Sequence, residues 1–118
     1  MAGKEIRRIG VSARYSKATV HNGTVYVAVQ YPDRPDPSPT NQTREVLEKI
    51  DGFLAQAGTD KSRLLRATVF LADIADFNAI NAVWDAWVVP GSPPARTPVI
   101  GPLLRPEVRV AIEVTAAV

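Results

Sequence analysis

Cysteine is absent from this sequence, and histidine occurs only once, at His21. Without cysteine there is no disulfide framework, no thiolate metal site and no cysteine nucleophile. A single histidine argues against a zinc site or a catalytic triad built on histidine. We therefore expect no metal site, and we interpret His21 as an ordinary residue at the end of a strand.

Long apolar runs and a charge of one sign are also missing. No run approaches the ~20 apolar residues of a membrane-spanning helix, and residues 1–5 contain no apolar signal core. The net charge is +2, from 14 basic and 12 acidic residues, and the basic residues are scattered. This pattern gives no support to nucleic-acid binding. With 46% hydrophobic and 22% charged residues, we expect a cytoplasmic protein with a single domain over residues 1–118 and no membrane partner.

The first third of the chain predicts a β-hairpin. Asn22-Gly23 separates two strand-like runs, Ala18–His21 and Thr24–Gln30. A type I′ turn needs positive φ at both central residues, and Asn-Gly suits it best. A further short strand is predicted over residues 5–11. The proline-rich segment 31–39 predicts a loop, because proline disrupts both helices and central strands.

Two amphipathic helices are predicted, over residues 40–58 and 77–88. In both segments apolar residues recur at spacings of three and four, which places them on one helical face. Ser38 or Thr40 can cap the start of the first helix, and Gly58 suits the left-handed position after its end.

Strands are predicted over residues 62–72, 99–104 and 107–114. The resulting order is two or three strands, a helix, a strand, a helix and two strands. It indicates an α+β domain with a mixed sheet and two helices packed on one face. Apolar residues on both sets of strand positions leave a second face to be covered, so we expect an oligomer.

Arg96 stands between Pro93-Pro94 and Pro98, just before a predicted strand. A guanidinium held rigidly there matches a carboxylate or a phosphate bidentately. The alternative is a solvated surface charge. Asn81 lies on the apolar face of the second predicted helix. It is either a buried amide satisfied by a backbone group or a hydrogen-bonding residue that shapes a site.

The sequences PART (94–97) and PEVRVAIE (106–113) resemble the signature of the Rid, or reactive intermediate deaminase, family, also called the YjgF or endoribonuclease L-PSP family. Segment 67–84 is similar to the family's pattern of strand, turn, acidic-Phe pair and helix, and segment 84–88 resembles the YoaB-like branch. The resemblance implies a chorismate-mutase-like fold and a homotrimer with ligand sites between subunits. It also implies hydrolysis of enamine and imine acids to 2-keto acids and ammonia, without a metal or organic cofactor.

The resemblance assigns the family's site residues to positions in this chain. The carboxylate-binding arginine falls on Arg96, the cleft tyrosine on Tyr15 and the helix asparagine on Asn81. Thr97, beside Arg96, is included among the expected substrate-binding residues. We expect Arg96 and Tyr15 to act directly on a small carboxylate ligand.

The chain departs from the family at three further positions of the predicted cleft. The cleft serine falls on Ala28, the cleft cysteine on Pro98, and the glutamate that positions water on Ala111. Alanine cannot mediate the proton transfers of imine hydrolysis. Glu113 lies two residues further on the same strand face, ~7 Å away. It is a candidate catalytic replacement, and a salt bridge to a neighbouring strand is the alternative.

Three functions are therefore weighed. The first is an imine deaminase in which Arg96, Tyr15 and Glu113 act on the substrate. The second is a non-catalytic trimer that binds small carboxylates, which the three departures favour. The third is the ribonuclease activity given in the family's older name. This sequence has no paired histidines, metal cluster or basic groove that would support it.

Overall fold

A mixed six-stranded sheet with two helices on one face forms the fold in the computed structural model, which describes residues 5–118. Residues 1–4, in the segment without a signal core, lie outside the described residues. The predicted α+β class, with two helices on one face, is confirmed. The strands are β1 (Arg7–Ile9), β2 (Ala18–His21), β3 (Thr24–Gln30), β4 (Leu64–Leu71), β5 (Ala95–Ile100) and β6 (Val110–Ala117), and the helices are α1 (Pro39–Gln56) and α2 (Phe77–Trp87).

The last strand of the chain lies inside the sheet, between strands that are far from it in sequence. The strand order is β1-β2-β3-β6-β4-β5, so β1 and β5 are the two edges. All neighbours are antiparallel except β4 and β5, which are parallel. Parallel strands need a crossover connection, and α2 provides it.

Local sequence signals explain the hairpin and the ends of α1. Asn22 and Gly23 both have positive φ, 50° and 77°, and join β2 to β3 as predicted. The Ser38 side chain caps α1 by accepting a hydrogen bond from the N–H of Asn41 at 3.1 Å. Gly58, at φ +85°, follows the helix in the left-handed conformation that glycine tolerates best.

The core lies between the sheet and the helices. Its largest fully buried side chains come from α1, α2 and the central strands, and include Ile50, Leu54, Leu71, Ile80 and Ile112. The opposite sheet face is covered by no element of the described chain. No helix among residues 5–118 has the length and apolar character needed to cross a membrane.

Several predicted positions are corrected by the structure. The alternation of residues 65–71 in the sequence predicts Leu65 on the core face of β4, but Leu64 is buried there and Leu65 is 50% exposed. The pairing of β4 with β6 shifts between Leu64 and Arg66, and this irregularity changes which side chains point inward. The predicted last strand, 107–114, instead runs over Val110–Ala117.

The helical period of the sequence predicts Glu45 on the solvated face of α1, but this residue is only 5% exposed. The proline-rich loop folds back over the helix, and the N–H of Asp33 donates to the Glu45 carboxylate at 2.7 Å. Lys49, one turn later, donates to the Tyr31 carbonyl oxygen at 2.6 Å and pairs with Asp33. This hydrogen bond from Lys49 holds the pKa of Asp33 below its usual range. The predicted loop is therefore tied to the helix.

The sequence predicts that Asp73 or Asp76 caps the start of the second helix, and the structure gives the two aspartates different roles. The Asp73 side chain accepts from the N–H of Ala75 at 2.9 Å and caps a short 3-10 turn that precedes α2. Asp76 makes no capping bond. Its carboxylate instead accepts a hydrogen bond of 2.7 Å from Arg109 Nε, and Arg109 Nη2 lies 2.7 Å from the same oxygen, so this ion pair links the start of α2 to the segment before β6.

Candidate functional site

The Arg96 side chain extends from β5 toward α2. It pairs with Ala67 of β4, a core residue, so its side chain points to the helix-covered face. Its Nη1 donates to the Asn81 Oδ1 at 2.9 Å. The guanidinium carbon lies 5.2 Å from the ring centre of Trp84 and 5.9 Å from that of Phe77, within cation–π range. A neutral amide and two aromatic rings therefore orient the guanidinium.

The charge of Arg96 is not neutralised within the chain. Among residues 5–118, no carboxylate lies within ion-pair distance of its guanidinium. Arg109, in contrast, is paired with Asp76. A guanidinium has five N–H donors, and the bond to Asn81 uses one of them. The half-buried Arg96 can therefore bind an external anion.

The strand that carries Arg96 begins earlier than predicted. β5 runs over Ala95–Ile100 rather than over 99–104, so Arg96 and Pro98 lie within it. Proline is tolerated in an edge strand when its missing N–H would face away from the sheet, and β5 is an edge strand. Arg96 thus occupies the strand entrance, as the sequence predicted.

Most of the other predicted strand residues of the site lie on the uncovered face of the sheet, whereas Pro98, opposite the buried Val69, shares the face of Arg96. Thr97 of β5 pairs with Thr68 of β4, which pairs with Glu113 of β6, so these three form one row across that face. Ala111 pairs with Phe70 in the adjacent row. Arg96 and Glu113 therefore lie on opposite faces of the same sheet.

A groove of about 390 Å³ crosses the uncovered face. Ala28 and Glu113 both line it, together with Thr68, Ser16 and Arg66. Glu113 is exposed and makes no ion pair within residues 5–118, so the predicted salt bridge is not formed inside the described chain. Arg66, a guanidinium in the groove lining with no ion pair among residues 5–118, was not predicted from the sequence. The alternation in β4, which places Arg66 opposite the buried Ala67, was its signal.

Tyr15 is far from Arg96 in the same chain. It lies before β2, where its carbonyl oxygen accepts from the N–H of Ser12 at 2.9 Å, and it is 55% exposed. β2 and β5 are four places apart in the sheet. At about 4.8 Å per strand this separates them by about 19 Å. This separation argues against contact of one small ligand with both residues of a single chain.

The aromatic partners of Arg96 were predicted only as core residues. Phe77, Asn81 and Trp84 follow one another at spacings of four and three, which places them in one stripe of α2. This spacing is the signal that could have identified them as a support for Arg96. Asn81 therefore bonds to a side chain, and not to the backbone group that the alternative interpretation assumed.

Arg14 and Arg105 lie close in sequence to predicted site residues, which makes them candidates for a second anion contact. Arg105 is already engaged: its Nε donates to Glu107 at 2.9 Å and its Nη2 to the Pro32 carbonyl at 3.0 Å. The N–H of Glu107 itself and the Arg105 guanidinium hold the pKa of the Glu107 carboxyl below its usual range. Arg14 is exposed beside Tyr15. In the described part of the chain, no three His, Asp or Glu side chains cluster as metal ligands would.

Comparison with known proteins extends over the whole described chain. The family model described as Endoribonuclease L-PSP matches residues 5–118. A RutC family protein from Haemophilus ducreyi is 42% identical over 113 residues, which cover 96% of this chain and 97% of the relative. The RutC family protein YoaB of Escherichia coli is 43% identical and covers 96% of this chain and 98% of its own.

Solved structures agree with this relationship. A member of the YjgF protein family from Neisseria meningitidis superimposes with a TM-score of 0.94 at 41% identity, covering 98% of this chain and 96% of that one. YyfA from Yersinia pestis, described as a Rid family protein of unknown function, has a TM-score of 0.85 at 32% identity and covers 92% and 90%. The chain therefore belongs to the Rid family, also known as the YjgF or endoribonuclease L-PSP family.

Proposed function

We propose that the protein binds small 2-imino and 2-keto carboxylates, with Arg96 as the carboxylate anchor. One observation carries this proposal: the half-buried guanidinium of Arg96 is oriented by Asn81 and two aromatic rings but has no carboxylate partner in the described chain. An oriented, unneutralised guanidinium forms bidentate bonds to a carboxylate with little loss of side-chain entropy.

The ligand site lies between subunits of a homotrimer with a chorismate-mutase-like fold. The family resemblance implies this assembly, and the about 19 Å between β2 and β5 supports it. If Tyr15 and Arg96 contact the same ligand, they come from different subunits. The uncovered sheet face, which exposes Tyr26 and Val99, is the surface available for such contacts.

Hydrolysis of an imine requires water to add to the carbon of the C=N bond and ammonia to leave from the resulting carbinolamine. A group must accept a proton from the water, and a donor must protonate the departing nitrogen. Ala111 supplies neither. Glu113, exposed on the groove and without an ion pair among residues 5–118, and the Tyr15 hydroxyl are the groups proposed to act, either directly or through water. Because Arg96 and Glu113 of one chain face opposite sides of the sheet, the Glu113 that acts on a ligand held by Arg96 would come from a neighbouring subunit. Ala28, Thr97 and Pro98 complete the proposed lining of the site.

A trimer that binds small carboxylates without hydrolysing them is the second candidate. The observation that favours it is Ala111 at the position of the family's water-positioning glutamate. Such a protein would keep the Arg96 anchor and lose the acid–base groups. The name of the matching family model suggests ribonuclease activity. This sequence contains neither a histidine pair nor a basic stripe that would support it.

A competition assay distinguishes these candidates. A threonine dehydratase generates 2-iminobutanoate in the presence of semicarbazide, which traps the imine. A deaminase diverts the imine to 2-oxobutanoate and so slows semicarbazone formation. We expect this effect for the wild type and for the control Arg44→Ala, whose arginine bonds only to Asn41 on the outer side of α1. We expect it to be lost in Arg96→Ala.

The outcomes separate binding from catalysis. Loss of diversion in Glu113→Gln would support Glu113 as the replacement acid–base group. No diversion by the wild type, combined with Arg96-dependent binding of butanoate, would establish the non-catalytic binder. Absence of both diversion and binding would refute the proposed function.

A further inference from the structure

The outer edge of β5 presents an unusual set of main-chain groups beside Arg96. β5 has a neighbour, β4, on one side only. The N–H of Gly101, directly after the strand, donates to the Leu71 carbonyl of β4 at 3.0 Å. Main-chain groups of successive residues in a strand point to opposite sides. Residues 95, 97 and 99 therefore bond toward β4, and Arg96, Pro98 and Ile100 direct their main-chain groups outward.

Pro98 removes the central donor from this edge. Its missing N–H would have pointed outward, between the N–H groups of Arg96 and Ile100, while its carbonyl oxygen still points outward. The side chains of Arg96 and Pro98 share one face of β5 and lie roughly 7 Å apart along the strand. At Pro98, a ligand anchored by its carboxylate on Arg96 and extending along the edge thus meets an acceptor without a donor, and the next outward donor is the N–H of Ile100.

We propose that Pro98 is a specificity-determining residue that selects carboxylates with a hydrogen-bond donor at the 2-position. This inference rests on the proposed function of Arg96 as the carboxylate anchor. An imine N–H or a hydroxyl at the 2-position can donate to the outward carbonyl of Pro98. A 2-keto oxygen is only an acceptor, and it faces another acceptor there.

For an imine substrate, this arrangement discriminates between substrate and product. Hydrolysis exchanges the C=N–H group for a C=O group, so the ligand loses its donor when ammonia leaves. The keto acid product then lacks a partner at the outward carbonyl of Pro98, which favours its release. A conventional residue at position 98 would offer an N–H to the keto oxygen and would retain the product.

The test measures the affinity of the full chain for three stable acids by NMR titration: butanoate, 2-hydroxybutanoate and 2-oxobutanoate. Wild type is expected to bind the 2-hydroxy acid more tightly than the 2-keto acid. Pro98→Ala and Pro98→Val both restore the N–H with side chains of different size. Since one hydrogen bond changes an equilibrium by about fivefold, both are expected to shift the affinity ratio toward the keto acid by about that factor.

Two controls identify the cause. Ile100→Ala shortens an exposed side chain on the same face of β5 but retains its N–H, so the ratio should not move. Butanoate, which has no group at the 2-position, should bind the wild type and the Pro98 variants equally and should bind Arg96→Ala more weakly.

Each result has a distinct meaning. An unchanged ratio in both Pro98 variants, with butanoate binding still dependent on Arg96, would overturn the role of Pro98 and leave the anchor intact. An equal gain for all three acids would place the restored N–H on the carboxylate and would also overturn it. No binding of any acid to the wild type would refute the proposed function, and the role of Pro98 with it.

Discussion

Replacing Asn81 with aspartate tests whether the free charge of Arg96 is the basis of anion binding. Asn81 Oδ1 accepts from Arg96 Nη1 at 2.9 Å, so the aspartate would sit at the same hydrogen-bond distance and neutralise the guanidinium. The two side chains have nearly the same shape. The substitution therefore changes charge with little change in packing, and we expect it to weaken anion binding while the fold is kept.

The magnitude follows from the geometry. A ligand carboxylate on the open side of the guanidinium would lie about 6 Å from the new carboxylate. At an effective dielectric constant of about 20, two unit charges at that distance repel by about 2.8 kcal/mol. Solvent screens part of this at a half-buried site. We therefore expect at least about 1.4 kcal/mol, a tenfold loss of affinity. The new ion pair should leave the stability unchanged or raise it by up to about 1 kcal/mol.

The assay combines an NMR titration with butanoate and urea unfolding of the same variants. Asn78→Asp is the matched control, because it adds the same charge to the same helix at an exposed position. This control should bind butanoate like the wild type. If Asn81→Asp binds butanoate as tightly as Asn78→Asp does, then Arg96 is not the anchor, and the reasoning from its unpaired charge is wrong.

Three further perturbations test the polar contacts around the site. Asp76→Ala leaves Arg109 without its carboxylate and should lower the free energy of unfolding by about 1–3 kcal/mol in urea, because the pair is only partly buried. Glu45→Ala removes the acceptor of the Asp33 N–H and should cost about 1–2 kcal/mol and speed hydrogen exchange at that amide. The pKa of Asp33 is lowered mainly by its hydrogen bond from Lys49. This pair should therefore stabilise the folded state by about 0.2–1 kcal/mol at pH values above the ordinary aspartate pKa of about 3.9. The stabilisation should disappear as the pH falls through the lower pKa of the folded state.

Controls for these variants come from neighbouring exposed acids. Asp85 lies on α2, which directly follows Asp76, and Glu48 lies on α1 with Glu45, so Asp85→Ala and Glu48→Ala should change stability by less than about 0.5 kcal/mol. Asp33→Asn, unfolded in urea at several pH values, should differ from the wild type at neutral pH and converge with it in acid. A constant difference across that range would contradict the assignment of the pKa shift to the folded state.

Much of the secondary structure followed from local sequence. Asn22-Gly23 supplies the positive φ values of the hairpin, and Ser38 and Gly58 define the ends of α1 through their own side-chain and backbone properties. These signals act over a few residues, so the rest of the fold hardly alters them. The apolar periodicity of α1 and α2 also identified the helix faces that enter the core.

Errors arose where a residue's environment comes from distant segments. Pro98 was excluded from a strand, but β5 is an edge and tolerates proline, which depends on the strand order. Glu45 fits the polar face of α1 by period, but the loop over residues 31–39 folds back and buries it. Leu64, and not the predicted Leu65, lies in the core because the pairing of β4 with β6 is irregular at that point.

The sequence by itself determined the family, the α+β class, the two helices on one face and the choice of Arg96 as the anchor, whose role stays a prediction. Only the tertiary structure decided how the candidate residues are distributed. The insertion of β6 between β3 and β4 separates Tyr15 from Arg96 by most of the sheet. The pleat of β4, β5 and β6 directs Arg96 and Glu113 to opposite faces. Strand order and pleat depend on contacts between segments far apart in sequence, and no local pattern encodes them.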